Sequence, residues 1–110
     1  MNSVTIGSFK NKFLTIIAAK YINGSLALSI VDGNHVEYAD ITYYVKEHKF
    51  SDFNYFFINP KLDENLKKLL IKKNIILCSN KFYEVGNQRL EVGMINPKIS
   101  RKFDFNCEIK

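Results

Sequence analysis

The chain has 110 residues, 46% of them apolar, and this length and composition predict one globular domain spanning residues 1–110. Such an apolar content excludes an intrinsically disordered chain. The formal net charge is +5, from 16 Lys and Arg against 11 Asp and Glu. We therefore do not expect a mimic of double-stranded DNA, because such a protein needs a dense acidic surface.

Lysine supplies most of the positive charge, since Arg89 and Arg101 are the only arginines. Recognition of phosphate groups or of guanine relies on the planar guanidinium of arginine, which bonds in pairs. The charge therefore indicates first a solubility role or a codon bias toward lysine, with anion binding as the alternative.

We expect no signal peptide at the beginning of the chain. Met1–Ser8 is polar, and the apolar run Phe13–Ala19 is short. No stretch approaches the ~20 apolar residues of a membrane span. We expect a soluble protein in the cytoplasm of a host cell, with no membrane partner.

Residues that support catalysis or metal binding are scattered. Cys78 and Cys107 lie far apart, which favours free thiols in a reducing compartment. His35 and His48 have no Cys or His at ligand spacing, so we expect solvated side chains and no metal site. There is no Gly-x-Ser-x-Gly motif and no glycine-rich phosphate loop. We expect neither enzyme activity nor a cofactor; an enzyme whose site is assembled from distant residues is the alternative.

The first half of the chain predicts an antiparallel meander. Phe13–Ile22, Ser25–Val31 and His35–Val45 have the composition and alternation of strands. They are separated by Asn23-Gly24 and Asp32-Gly33, dipeptides that favour tight type I′ turns. Three strands joined by two tight turns follow.

The second half predicts a helix between strands. Phe53–Ile58 is a very apolar strand that follows a polar loop. Asn59 suits the helix N-cap and Pro60 the first helical position. Asn74 suits a left-handed cap at the end. Four leucines spaced as one helical stripe are expected to face the core: Leu62, Leu66, Leu69 and Leu70.

The remaining strands complete the fold prediction. Ile75–Cys78 is a buried strand candidate, Lys81–Val85 and Arg89–Ile95 form a hairpin, and Phe103–Lys110 alternates as a half-buried terminal strand. Gly93 inside its strand indicates a bulge or a close backbone approach. The sequence therefore predicts an α+β fold: a curved antiparallel sheet, made of the N-terminal three-stranded meander and the C-terminal hairpin, with one main helix packed on one face.

Two surfaces are candidate partner-binding sites. On the helix, Ile71 falls opposite the leucines among Lys67, Lys68 and Lys72, so an apolar spot ringed by lysines is predicted. An ordinary solvated helix face is the alternative.

The third predicted strand carries the other candidate surface. Tyr38, Asp40 and Tyr44 share one face of an ideal strand. If that face is covered, the Asp40 carboxylate needs a hydrogen-bond partner; if it is open, the face is a polar–aromatic patch for a partner. The segment Lys81-Phe82-Tyr83 interleaves basic and aromatic residues, as in stacking platforms for single-stranded nucleic acid, although such rings belong more often to a core.

The segment Lys20–Thr42, with the sequence KYINGSLALSIVDGNHVEYADIT, resembles the opening of small proteins of phages, plasmids and other mobile elements. Those proteins carry a Tyr/Lys–Asn–Gly–x–Leu–Ala hairpin, a short turn and a strand that ends in Ala–x–Ile/Leu–Thr. The later FFINP followed by an amphipathic helix, and the aromatic hairpin around Phe82–Val92, fit the same pattern. The first hairpin is also similar to the start of antirestriction proteins, but their acidic mechanism does not transfer to this basic chain.

The resemblance implies a gene neighbourhood that encodes inhibitors of bacterial defence, including anti-CRISPR proteins. We therefore expect a phage- or mobile-element-encoded inhibitor that binds a host defence complex stoichiometrically, with a protein as its partner. A small basic nucleic-acid-binding module is the first alternative, and the small enzyme is the second. A homodimer is a further expectation, because FNYFFI and the terminal strand could each lie at a sheet edge.

Overall fold

A computed structural model describes residues 3–103 of the chain, and its strands form two antiparallel sheets of four strands each. The first sheet has the order β1-β2-β3-β4 and the second β5-β6-β8-β7. The strands of the first sheet are β1 (Ser3–Phe9), β2 (Lys12–Lys20), β3 (Leu26–Val31) and β4 (Glu37–Asp40). Those of the second are β5 (Thr42–Tyr43), β6 (Tyr55–Ile58), β7 (Ile76–Val85) and β8 (Gln88–Ile95). Two helices complete the fold, α1 (Glu64–Lys72) and the single turn α2 (Pro97–Ser100).

The α+β class with mainly antiparallel strands is confirmed, but the single curved sheet is wrong. The predicted strand His35–Val45 is broken at Ile41, where the chain passes from the first sheet to the second. The Ile41 amide donates to the Leu28 carbonyl at 3.0 Å in the first sheet, while its own carbonyl accepts from the Asn59 amide at 2.9 Å. The Thr42 hydroxyl oxygen accepts from the Leu28 amide at 3.1 Å, which fixes the crossing point.

The meander has four strands rather than three, because the polar start of the chain, where no strand was predicted, forms β1. Lys10 and Asn11 connect β1 to β2 with φ angles of 47° and 65°, as a type I′ turn requires. A bulge at Ile6 interrupts the pairing of β1 with β2, between Thr5 and Gly7. The side chain of Ile6 is nevertheless buried in the core.

The two predicted glycine turns lie where expected, but they are three-residue loops rather than type I′ turns. In each loop a β-turn is followed by one residue of positive φ, which is Gly24 (87°) in the first and His35 (60°) in the second. The side chain of Asp32 holds the second loop by accepting from the amides of Asn34 and Val36. His35 is exposed, as predicted.

The helix α1 begins four residues later than predicted. Asp63 is its N-cap, and Oδ1 of that side chain accepts from the amides of Asn65 (2.8 Å) and Leu66 (3.1 Å). Asn59 and the following proline instead form a preceding turn, closed by the Leu62 amide on the Asn59 carbonyl. A short polar residue followed by proline is equally suited to such a turn, which explains the wrong start.

The end of α1 is as predicted. Asn74 has φ 56°, its amide donates to the Ile71 carbonyl, and the Ile75 amide donates to the Leu70 carbonyl. These two bonds form a Schellman motif, which satisfies carbonyls that have no partner inside the helix.

The predicted strands Ile75–Cys78 and Lys81–Val85 are one strand, β7, with a bulge between Cys78 and Lys81. Gly93 on β8 lies opposite Cys78, and a β-carbon there would sit 2.9 Å from Ile58 Cγ1. The expectation of a close approach at Gly93 is therefore confirmed.

Two further predictions concern the edges and the end of the chain. The FNYFFI strand, β6, lies between β5 and β8 and is not an edge strand, so that argument for a homodimer is wrong. Residues 104–110, which include Cys107 and most of the predicted terminal strand, lie outside the described residues.

The main hydrophobic core lies between the inner faces of both sheets and α1. It contains side chains from seven strands and helices, and nine of its residues are 0% exposed: Leu14, Ile16, Leu28, Ile30, Ile41, Leu66, Leu70, Ile76 and Ile95. A second, smaller cluster centres on Phe57, Leu90 and Val92 of the second sheet. This second cluster supports the aromatic surface described below.

Candidate macromolecule-binding surfaces

Lys67, one of the predicted partner-binding residues, is committed to a contact within the protein. Its Nζ lies 2.6 Å from Glu91 Oε1, and both side chains are only 19% exposed. The hydrogen bond to Glu91, with a smaller coulombic contribution from the same carboxylate, raises the pKa of Lys67 above its ordinary value despite partial burial. The pair joins the middle of α1 to β8.

Both ends of α1 are joined to the β1–β2 hairpin. At its start, Lys10 Nζ donates to the N-cap Asp63 at 3.1 Å. At its end, the ammonium of Lys73 donates to the carbonyl of Ile6, the bulged residue of β1. The lysine therefore bonds the backbone carbonyl at the irregular point of the β1–β2 pairing. Three lysine contacts thus hold α1 at its start, middle and end.

The predicted apolar spot on α1 is not isolated. Ile71 is half-buried and packs against the main core, so it does not stand in solvent among the lysines. Lys68 and Lys72 are exposed, and a spacing of four residues places them on the same side of the helix. The predicted basic face of α1 therefore consists of these two lysines.

The predicted polar–aromatic row of Tyr38, Asp40 and Tyr44 is divided by the crossing at Ile41. Tyr38 packs against the main core, and Asp40 Oδ1 accepts from the Ser29 hydroxyl at 2.9 Å, both in the first sheet. Tyr44 follows β5 in the second sheet. The three side chains therefore do not form one strand face.

Tyr44 lies against a neighbouring tyrosine. Its ring centroid is 4.7 Å from that of Tyr21, with the two planes tilted by 31°. The Tyr44 hydroxyl is buried and has no hydrogen-bond partner among residues 3–103. Its ring, rather than its hydroxyl, therefore provides its described contacts.

Five rings form an aromatic cluster on the face of the second sheet that lies away from α1. They are His48, Phe50, Tyr55, Phe57 and Tyr83. Phe50 is central: its centroid is 4.6 Å from His48, 4.9 Å from Phe57, 6.0 Å from Tyr83 and 6.1 Å from Tyr55. The prediction of a solvated His48 is wrong, because the imidazole is half-buried among these rings.

The loop that brings His48 and Phe50 to the cluster is held by Asn23. Its side-chain amide donates to the carbonyls of Val45 (3.3 Å) and His48 (3.2 Å). Its Oδ1 accepts from the Ser25 amide at 3.0 Å, which fixes the side chain itself. The side chain of Asn23 therefore stabilises both the loop after β5 and the β2–β3 turn.

Two surface clefts meet at this loop. One, of about 410 Å³, has Lys20, Lys49 and Phe53 in its walls, and the other, of about 260 Å³, has Tyr55, Lys81 and Tyr83. Phe50 and Ser51 line both clefts, so the two lie side by side. We call this surface the basic–aromatic groove and define it by Lys20, Lys49, Phe50, Tyr55, Lys81 and Tyr83.

The charges along the groove are mainly positive. Lys49 and Lys81 are exposed, and neither forms an ion pair within residues 3–103. Lys20 Nζ lies 5.9 Å from the ring centroid of Phe53, a cation–π distance. Asp52 is the one carboxylate in the described lining of the two clefts, and its Oδ1 accepts from the Asn54 amide.

Comparisons with models of protein families, with curated proteins and with solved structures find no match to this chain.

Cys78 is the one cysteine within residues 3–103, and it is exposed and free. Partial burial, together with the nearby Glu91 carboxylate, raises the pKa of its thiol, so the thiol is protonated at neutral pH and weakly nucleophilic. In the same part of the chain, no group of three or more His, Cys, Asp and Glu side chains could hold a metal ion. Neither helix between residues 3 and 103 is long and apolar enough to cross a membrane.

Sequence reasoning found part of the groove. The interleaved segment Lys81-Phe82-Tyr83 contributes two of its residues, and Phe82 points to the other side, where Arg89 lies 4.3 Å from its ring centroid. Lys49 and Phe50 were missed because they occur in a segment that predicts only a polar loop. The available signal was Phe50 itself, an apolar ring within that polar loop.

Proposed function

We propose that this protein acts by stoichiometric binding, as an inhibitor of a bacterial defence complex, and that Lys68 and Lys72 of α1 contact an acidic surface of that complex. The observation that carries this proposal is the fixation of α1, whose start, middle and end are each held by a lysine contact. The two exposed lysines therefore stand on a helix whose position is set before binding.

A fixed helix favours binding because less conformational freedom is lost when the partner docks. The two lysines carry like charges on one side of α1, and the whole chain has a net charge of +5. Charge complementarity of this kind speeds encounter with an acidic surface and selects against basic ones. An acidic protein surface is thus the partner chemistry that this face fits.

The sequence resemblance supports the class of partner. The segment Lys20–Thr42 is similar to small proteins of phages and plasmids, where inhibitors of host defence are encoded. In the structure, this segment forms the end of β2, all of β3 and β4, and the start of β5. This segment lies mainly in the first sheet and does not include α1. The resemblance therefore supports the proposed origin in a phage or mobile element, whereas the proposed contact surface rests on α1.

The proposal is tested by phage plating on bacteria that carry a defined defence system, including CRISPR systems, with and without this protein. We expect plating to rise when the protein is present, and the purified protein to co-elute with the purified defence complex at a fixed ratio. Equal plating on every defended strain would contradict the proposal.

Charge-reversal variants locate the contact. Lys68→Glu with Lys72→Glu should abolish inhibition and co-elution. The matched control is Lys98→Glu with Lys102→Glu, which changes the charge equally at two exposed lysines elsewhere in the chain. Equal loss in both double variants would show that net charge, not the α1 surface, determines binding.

A further inference from the structure

The basic–aromatic groove is separate from the exposed face of α1, and we propose that it binds single-stranded nucleic acid. This proposal goes beyond the protein contact proposed above and rests on different residues. Three observations carry it: a positioned aromatic ring, one lysine in each cleft without an ion-pair partner within residues 3–103, and the shared lining of the two clefts.

Tyr83 is the ring best placed to stack on a base. It is 42% exposed, although its centroid lies 5.4 Å from that of His48, 5.8 Å from Phe57 and 6.0 Å from Phe50. These neighbours meet Tyr83 edge to face, which holds the ring without covering it. An aromatic ring already fixed in position stacks on an unpaired base of any sequence, since every base has a π-face.

The lysines lie where a sugar–phosphate backbone would pass. Lys49 lines the first cleft and Lys81 the second, and both clefts are also lined by Phe50 and Ser51. Both lysine residues are exposed, and neither has an ion-pair partner within residues 3–103. A strand running from one cleft to the other would place phosphates near both lysines. Lysines act there as point charges and supply affinity without reading sequence.

The combination favours a single strand over a duplex and over an acidic protein. In a duplex the base faces are stacked inside the helix, so a ring at the protein surface cannot reach them. An acidic protein would satisfy Lys49 and Lys81 but would leave Tyr83 without a specific role. The groove presents ring and charge together, which matches the pattern of proteins that bind single strands without sequence preference.

The absence of tryptophan from the chain makes a direct test available. In the variant Tyr83→Trp, the single indole reports on the groove alone, and titration with an oligothymidylate of about 20 nucleotides should quench its fluorescence to saturation. The matched reporter is Phe13→Trp, which places the indole at an exposed position of β2 in the other sheet. We expect no quenching in that variant. Equal quenching of both reporters would overturn the proposal.

Affinity measurements in the chain without tryptophan separate stacking from charge. With a fluorescein-labelled oligothymidylate, Tyr83→Ala should weaken binding about 5- to 100-fold, the equivalent of one lost stacking contact, and Tyr83→Phe should keep it. Lys49→Glu with Lys81→Glu should weaken binding about tenfold or more near 50 mM salt, and the affinity should fall as salt rises. The control Lys98→Glu with Lys102→Glu should stay close to the unmodified protein. Thermal melting of each variant confirms that it is folded.

Three results would refute the nucleic-acid proposal while leaving the inhibitor proposal intact. The first is no binding of the oligothymidylate near 50 mM salt. The second is equally tight binding of a duplex of the same length. The third is displacement of the oligothymidylate by polyglutamate at equal charge, which would assign the groove to acidic protein surfaces. Conversely, failure of the Lys68 and Lys72 variants to affect phage plating would leave the groove measurements unchanged.

Discussion

The contact between Lys67 and Glu91 predicts a measurable coupling free energy between α1 and β8. Exposed ion pairs contribute roughly 0.2–1 kcal/mol, whereas a hydrogen bond to a charged group contributes about 1.5–3 kcal/mol. With a separation of 2.6 Å and both side chains 19% exposed, this pair lies between these limits. We therefore expect a coupling of about 1.5 kcal/mol.

A double-mutant cycle measures that coupling. Urea denaturation of the unmodified protein, Lys67→Met, Glu91→Gln and the double variant gives four free energies of unfolding. Lys67→Met should lower the free energy of unfolding by about 2 kcal/mol, because it also leaves the half-buried Glu91 carboxylate without its partner. The double variant should recover part of that loss. A coupling below about 0.5 kcal/mol would refute our interpretation that the pair anchors the helix.

The coupling also has a defined pH dependence. The pKa of Lys67 is higher in the folded protein than its ordinary value of 10.5, so the folded state binds the proton more tightly than the unfolded state. The contribution of this raised pKa is fully present below the unfolded pKa. It is lost as the pH rises through the folded pKa. Cycles measured at pH 7 and pH 9 should therefore agree, and a fall between these values would contradict the assignment.

Two further predictions concern positions whose conformation or contacts are specific. Gly93→Ala should lower the free energy of unfolding by about 1–3 kcal/mol, because its β-carbon would press on Ile58 and Phe56; unchanged urea denaturation would show that the approach is loose. Asp63→Ala should lower the melting temperature at pH 7, whereas the difference should shrink below pH 3.8. The reason is that hydrogen bonds from the Leu66 amide and from Lys10 lower the pKa of Asp63 in the folded protein. The Asp63 carboxylate therefore stabilises the fold at pH values above its ordinary pKa of 3.8, and this contribution is lost as the pH falls through the lowered pKa.

The sequence correctly predicted the features that depend on residues close together in the chain. Asn74 ends α1 in a left-handed conformation because its short polar side chain tolerates a positive φ. The positions of the turns between β2, β3 and β4 were likewise set by nearby residues. Their types were not, because His35 rather than Gly33 takes the positive φ in the second loop.

Features that depend on distant partners could not be read from the sequence. The alternation from Glu37 to Tyr43 is that of one strand, and only the bonds of Ile41 to Leu28 and Asn59 divide it between two sheets. The strand β1 was missed for a related reason. Its bulge places Ile6 in the core without the regular alternation that identifies a strand.

The candidate sites show the same limit. In the sequence, Lys67 cannot be told apart from an ordinary surface lysine. Its ion pair depends on Glu91, which is 24 residues away. The groove likewise depends on Asn23, which reaches across to the carbonyls of Val45 and His48. Charge and aromatic content indicate that a surface of this kind exists, but the fold decides which lysines and rings share it.

The passage of the chain between sheets at Ile41 has a consequence for synthesis on the ribosome. Each sheet is built from one continuous part of the chain, residues 3–40 for the first and 42–95 for the second. The first sheet can therefore pair its strands while the rest is still being translated, but the residues that cover its apolar side appear later. Because translation proceeds at about 5–20 residues per second, the apolar side of the first sheet stays exposed for several seconds. The nascent chain is most vulnerable to aggregation in this interval, and slower translation after Ile41 would lengthen the exposure.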